Sequence, residues 1–293
     1  MERIISNIHK VTKGEEGYPA KLLNYKGMPE TLYYIGKLPD NDRPSAAIIG
    51  ARSCSPYGRI QAFRYAKVLS EAGVQIISGL AYGIDAEGHK GALEGATPTY
   101  GVLGNGLDVC YPRANASLYR RIPENGGILT EYPLGTPPAN FRFPARNRII
   151  SGLSDLVLII EARKNSGSLI TANYALEQGK MVYALPGPVN EELSLGCHQL
   201  IFDGAGIAYS PEVLLSEWKI TPKDPGKKNK IENLGLERNM NLVYSCLDFR
   251  PKNIDYIVRQ TGLTVAEVSR IVVELSLLGY IKETGRHYYI RNR

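Results

Sequence analysis

From about residue 45 to residue 218, short β-branched or aliphatic runs alternate with helix-length segments, and this alternation limits the fold more than any other feature of the 293-residue sequence. Repeated strand–helix–strand units build a parallel sheet. Residues 46–49, 74–77, 99–103, 127–130, 156–160 and 181–185 are the expected strands. Several are apolar almost throughout, as strands covered on both faces require. Residues 58–72 and 168–178 read as crossover helices. The expected class is therefore α/β, with a mostly parallel sheet and helices on both faces.

The chain is long enough for one such domain and a smaller one. Residues 1–44 form a lead-in segment, whose YPAKLLNYKGMPETLYYIG is expected to pack on the core domain of residues 45–218. Residues 219–236 contain TPKDPGKKNKIENLG, a composition that suits a solvated linker. Residues 237–293 read as three helices, at 240–247, 253–260 and 265–278, followed by the alternating hairpin YIKETGRHYYI. This order predicts a winged helix. Its third helix would expose Thr264, Glu267, Arg270 and Glu274, and the carboxylates make that face poor for DNA. The wing, with Lys282, Arg286, Arg291 and Arg293, suits DNA better, and protein contact is an equal alternative.

A net charge of +6 tilts the expectation toward an anionic partner. No stretch has the length or character of a signal peptide or membrane span, so a soluble cytoplasmic protein is expected. Cys54, Cys110, Cys197 and Cys246 are scattered singly, which predicts free thiols. Only Cys197 and His198 are neighbours among the cysteines and histidines, and no metal site is expected.

Ligands of open α/β sheets bind beyond the carboxyl ends of the strands. The loops there are IIGARSCSPYG, ISGLAYGID, VLGNGLDVCYPRAN and LPGPVN, each turning on glycine. Glycine lets backbone N–H groups approach an anion, although any tight turn also uses it. Four such loops on one edge favour phosphate binding over turns alone. Neither G-x-G-x-x-G nor G-x-x-x-x-G-K-[ST] is present, so no nucleotide cofactor is expected. Arg52 and Arg113 lie in two of these loops, and arginine presents a planar fork to phosphate oxygens. The segment ANFRFPARNRIISG interleaves Arg142, Arg146 and Arg148 with Phe141 and Phe143, a mixture that suits single-stranded nucleic acid. Asp85, Asp108, Glu131 and Glu161 punctuate the strand ends without an accompanying nucleophile, metal site or oriented histidine, so catalysis is not expected.

Six strings, in order, resemble the DNA-processing protein A family, also called Smf: IIGARSCSPYG, ISGLAYGIDAEGHKGAL, LGNGLDVCYPRAN, FRFPARNRIISGLSDLVLIIEA, SGSLITANYALEQGK and LPGPVNEELSLGCHQLIFDGA. The match covers about residues 18–218. The resemblance implies a Rossmann-like domain that binds single-stranded DNA without cutting it, forms a homodimer and hands the strand to the recombinase RecA during natural transformation. It implies DNA contacts from Arg52 and Arg113, further contributions from Phe143, Arg146 and Arg148, and backbone donors at Gly50, Ser53 and Gly104. Two departures stand out. His198 occupies a position where many members have Asn, and too few residues precede Ser45 for the helical domain that some members carry. The alternatives are a nucleotide-hydrolysing enzyme using Asp108 and Glu131, and a winged-helix regulator with the core as sensor.

Overall fold

The computed structural model describes residues 7–221, 237–248 and 251–291. The chain divides into two compact units, Met1–Pro222 and Lys223–Arg293. Most of the expected linker, residues 222–236, lies outside the described residues, as does Arg293 of the expected wing.

The first unit is built on a nine-stranded sheet. Its central strands are β3 (Ser45–Ile49), β4 (Gln75–Ser78), β5 (Thr99–Leu103), β6 (Gly127–Thr130), β7 (Leu156–Ile159) and β8 (Met181–Ala184). All are parallel, in the order β6-β5-β4-β3-β7-β8. The chemistry of β3 shows why. Ala46 and Ile48 face one hydrophobic cluster while Ala47 and Ile49 face another, so a strand that alternates between two buried faces must be apolar at every position.

Three strands were missed in the sequence. β1 (Ile8–Thr12) and β2 (Thr31–Gly36) add an antiparallel pair to β6, and β9 (Gly206–Ile207) extends the opposite edge. The lead-in segment thus contributes strands as well as apolar cover. TLYYIG hides its role because two adjacent tyrosines blur the alternation in which Leu32 and Ile35 are the buried residues.

Helices α1 (Ala20–Leu23), α5 (Arg142–Leu153), α6 (Gly167–Glu177) and α7 (Glu192–Phe202) supply residues to one face. Helices α2 (Pro56–Glu71), α3 (Ile84–Leu93), α4 (Ala116–Asn125) and α8 (Pro211–Ser216) cover the other. After β3 the chain runs outward through β4, β5 and β6, then returns along α5 to β7 on the far side of β3. This reversal opens a crevice at the carboxyl ends of β3 and β7, where doubly wound sheets bind ligands.

The second unit contains α9 (Arg238–Cys246), α10 (Ile254–Thr261) and α11 (Val265–Leu277), with a sheet ordered β10 (Lys252–Asn253), β12 (Tyr288–Arg291), β11 (Ile281–Gly285). Val243, Ile257, Val268, Ile271, Val272, Leu275 and Ile281 form its own core. The three helices and the hairpin were legible as a winged helix; the two-residue β10 was not.

Candidate nucleic-acid interface

A cleft of about 510 Å3 occupies the crevice. Its walls come from the loop after β3, the start of α3, the first two turns of α5 and the loop leading from β7 into α6. Helix α6 begins in its wall, and α2 begins shortly after the Arg52 loop. Ser55 caps α2 by accepting from the Gly58 N–H at 3.0 Å, and Ser166 caps α6 by accepting from the Ser168 N–H at 3.2 Å. The α6 start carries partial positive charge at the cleft wall, which favours an anion there, whereas the start of α2 already faces the Glu161 carboxylate.

The loop after β3 is held tightly. Ser55 donates through its backbone N–H (2.9 Å) and its hydroxyl to the buried carboxylate of Glu161. The Ile84 N–H donates to the Ala51 carbonyl at 3.2 Å. A Cβ on Gly50 would lie 2.8 Å from Ile84 Cγ1 and 2.9 Å from the Glu161 carbonyl oxygen, so only glycine fits. Gly83, with φ +74°, passes so close to the Ala51 and Arg52 carbonyls that a Cβ would sit 2.3 and 2.4 Å from their oxygens.

Arg146 forms part of the cleft lining yet is 4% exposed. Its guanidinium donates to the Gly79 carbonyl at 2.7 Å, to the Val102 carbonyl and to Asn147 Oδ1, tying α5 to the ends of β4 and β5. Burial lowers its pKa to about 10, while Asp85 opposes that shift, so the group stays charged at neutral pH. Burial likewise raises the Asp85 pKa, and Arg146 with the Gly79 N–H counters it. The two groups thus sit together beneath the cleft, each opposing the shift that burial imposes on the other.

Beyond this cleft a smaller recess opens at the ends of β4 and β5. Arg52, Ala81, Phe143 and Arg146 line both. The exposed Arg52 guanidinium lies 5.0 Å from the centre of the Phe143 ring, and Phe143 stacks on Tyr111 at 5.6 Å and 17°. Such an arginine keeps its charge while its flat face rests on an aromatic surface.

The structure therefore brings Gly50, Arg52, Ser53, Phe143 and Arg146 together at the cleft, with Gly104 in the adjoining recess against Phe143. Arg113 is exposed in the single turn Arg113–Asn115 and lines neither space. Arg148 departs from expectation. Two residues along a helix turn about 200°, so it points away from Arg146. It forms a two-pronged ion pair with Glu131, both contacts at 2.7 Å, and also donates to the Gly27 carbonyl. It holds the lead-in segment to α5 and does not line the cleft.

Sequence reading missed Asn140, Asn147, Arg163, Asn165, Ser166, Ser168 and Thr171 in the cleft lining. The available signal was the polar string EARKNSGS directly after β7, next to β3 at the sheet's reversal. All four strand-end carboxylates are engaged within the protein: Glu161 with Ser55, Glu131 with Arg148, Asp108 with the Gly135 N–H at 2.9 Å, and Asp85 with the Gly79 N–H at 3.1 Å. His198 bonds the Gly187 carbonyl at 3.0 Å, and Cys197 is buried, with burial raising its thiol pKa to about 12. Among the described residues no three His, Cys, Asp or Glu side chains are grouped to hold a metal, and no helix is long and apolar enough to cross a membrane.

In the second unit, Thr264 and Glu267 cap α11 reciprocally and Arg270 pairs with Glu274 at 3.4 Å. Arg291, expected on the wing, instead donates to the Tyr244 and Ser245 carbonyls and rests on the Tyr244 ring. Its packing against α9 removes it from the basic wing surface.

Residues 9–219 match the family model for DNA recombination-mediator protein A, and residues 235–285 match that for the DprA winged helix domain. The chain belongs to the DNA recombination-mediator protein A family. Among DprA relatives, Protein Smf of Escherichia coli is 38% identical over 94% of this chain and 75% of its own length. The DNA processing protein DprA of Streptococcus pneumoniae is 42% identical over 70% of this chain and 72% of its own. An X-ray structure of the pneumococcal DprA superposes with a TM-score of 0.68 at 38% identity, covering 74% of this chain and 76% of that one. A Helicobacter pylori DprA structure, described for its single-stranded DNA binding mode, gives 0.65 at 31% identity, covering 72% and 95%. The two family models between them match residues of both units.

Proposed function

We propose that this chain binds single-stranded DNA without sequence preference, through the cleft at the ends of β3 and β7, and delivers the strand to RecA in recombination and natural transformation. One observation carries the DNA reading: the exposed Arg52 guanidinium stands at the rim of a polar cleft in whose wall helix α6 begins. Backbone amides, hydroxyls and a guanidinium suit phosphate and carry no base code. The family relationship and the binding mode described for the Helicobacter pylori protein support the same reading. The engagement of Glu131, Glu161 and Asp108 within the protein supports a binder over a hydrolase.

Anisotropy titration with a labelled oligothymidylate tests the cleft. Arg52→Ala is expected to weaken binding about tenfold or more, since a charge-assisted contact to phosphate contributes about 1.5–3 kcal/mol. Unchanged affinity would remove the cleft from the proposal. RecA delivery is read from strand exchange on DNA precoated with single-strand-binding protein, and requires stimulation by the unmodified chain that Arg52→Ala fails to give. The same proposal includes a cytoplasmic homodimer, for which sedimentation must give twice the 32.3 kDa chain mass.

A further inference from the structure

Glu161 follows β7 closely and is 6% exposed, and among the described residues no lysine, arginine or histidine forms an ion pair with it. A buried carboxylate without a cation must have its charge met by hydrogen bonds and dipoles. Glu161 has both. Ser55 donates to it through the backbone N–H at 2.9 Å and through the hydroxyl, and Ser55 is the residue that caps α2. The start of a helix carries partial positive charge, so the carboxylate sits where a bound anion would.

In a doubly wound sheet, the helix that follows the strand at the reversal is the one whose start commonly receives a ligand's phosphate, with glycine there to let it come close. Here Gly58, in the first turn of α2, makes room for the chain's own carboxyl group, because a Cβ on Gly58 would run into it. The Glu161 backbone bounds the other end of the same loop, where its carbonyl oxygen would lie 2.9 Å from a Cβ on Gly50. Residues 50–55 are therefore held at both ends by one residue from the neighbouring strand. Arg52 and Ser53 lie between those ends and line the cleft, whereas Glu161 stands behind the loop and does not. The Arg52 guanidinium rests on the Phe143 ring, so its direction depends on the backbone that Glu161 fixes.

We propose that Glu161 is a positioning residue: an internal anion that fills the start of α2 in place of a ligand and, through the loop it bounds, sets Arg52 for a phosphate of the strand. The setting of Arg52 rests on the single-strand reading above and deepens it, while the internal anion stands apart from that reading. Charge is essential to the role, because an anion satisfies the helix start and both Ser55 donors at once.

The test uses Glu161→Ala, which removes a portion of the side chain about the size of acetate, and Glu161→Gln, which keeps the shape without the charge. On labelled oligothymidylate, Glu161→Ala is expected to bind about tenfold more weakly than the unmodified chain. Acetate should restore the affinity, and acetamide at matched ionic strength should not. Glu161→Gln is expected to bind weakly with or without acetate, and it carries the test should Glu161→Ala fail to fold. The slope of log K against log salt for Glu161→Ala should be shallower by about 0.7, and the double variant with Arg52→Ala should bind no more weakly than Arg52→Ala alone. Full affinity in Glu161→Gln, or equal rescue by acetamide and acetate, overturns the internal anion. Losses that add in the double variant overturn the action through Arg52. Should the unmodified chain bind no oligothymidylate, the single-strand reading fails and the setting of Arg52 with it. Thermal melts of Glu161→Ala in acetate and in acetamide then decide the internal anion, which requires stabilisation by acetate alone.

Discussion

Arg146 and Arg148 lie two positions apart in one motif and have opposite fates. Arg146 is buried under the cleft, with its donors directed at carbonyls, and Arg148 is locked to Glu131 on the far side of the helix. Their surroundings predict different losses. Arg148→Ala is expected to cost about 2 kcal/mol of stability, since it leaves a largely buried carboxylate without its partner, and to leave oligonucleotide affinity unchanged. Denaturant melts and anisotropy on the same sample separate these two readings. Gly83→Ala should do both. Its Cβ would meet the Ala51 and Arg52 carbonyls, and its φ of +74° disfavours a side chain, so about 1–3 kcal/mol of stability is lost and the Arg52 loop is displaced. A thermal shift with weakened oligothymidylate binding is the expected outcome, whereas a stable variant with full affinity would show that the loop yields cheaply.

At the scale of elements, α5 does the most to join architecture and site. It carries the chain back across the sheet, presents Phe143 and Arg146 to the ends of β4 and β5, and anchors the lead-in segment through Arg148. Helix α11 shows the contrasting case. In a winged helix this helix is the one placed to read DNA. Here it exposes Val265, Val273 and Leu277, and its Arg270 is paired with Glu274. That face offers little to a phosphate backbone. Thr264→Ala removes the side-chain cap from α11 and should lower the stability of the second unit by about 1 kcal/mol. If the cleft carries binding, oligothymidylate affinity is unaffected; a parallel loss of affinity would point to the second unit as a contributor.

Over the whole molecule, binding to phosphates must be salt-dependent. For single strands the slope of log K against log salt is about −0.7 per phosphate neutralised, so Arg52→Ala should make it shallower by about 0.7. A slope that does not change would mean Arg52 meets no phosphate. Stability should fall in mild acid for a separate reason. His89 is fully buried between α3 and β5, its Nδ1 2.8 Å from Thr99 Oγ1, and burial lowers its pKa from 6.5 to about 3. The folded chain keeps it neutral while the unfolded chain takes up a proton below pH 6.5, so its contribution is complete above that pH and is lost progressively as pH falls toward 3. Between pH 7 and pH 5 the loss is about 2 kcal/mol. Asp85, raised by burial, acts in the opposite sense, so the difference between the unmodified chain and His89→Leu isolates the histidine. Equal pH dependence of the two would exclude it. The sequence by itself determined the sheet and the winged helix, because apolar runs such as residues 46–49 and the helical spacing of residues 265–277 report burial locally. It also picked out the glycine and arginine loops, since those residue types announce their chemistry. Only the tertiary structure decided which arginine reaches the cleft, that β1 and β2 complete the sheet, and that EARKNSGS joins the site. Those outcomes depend on which side of a helix meets which distant strand, and distant pairing leaves no local period in the chain.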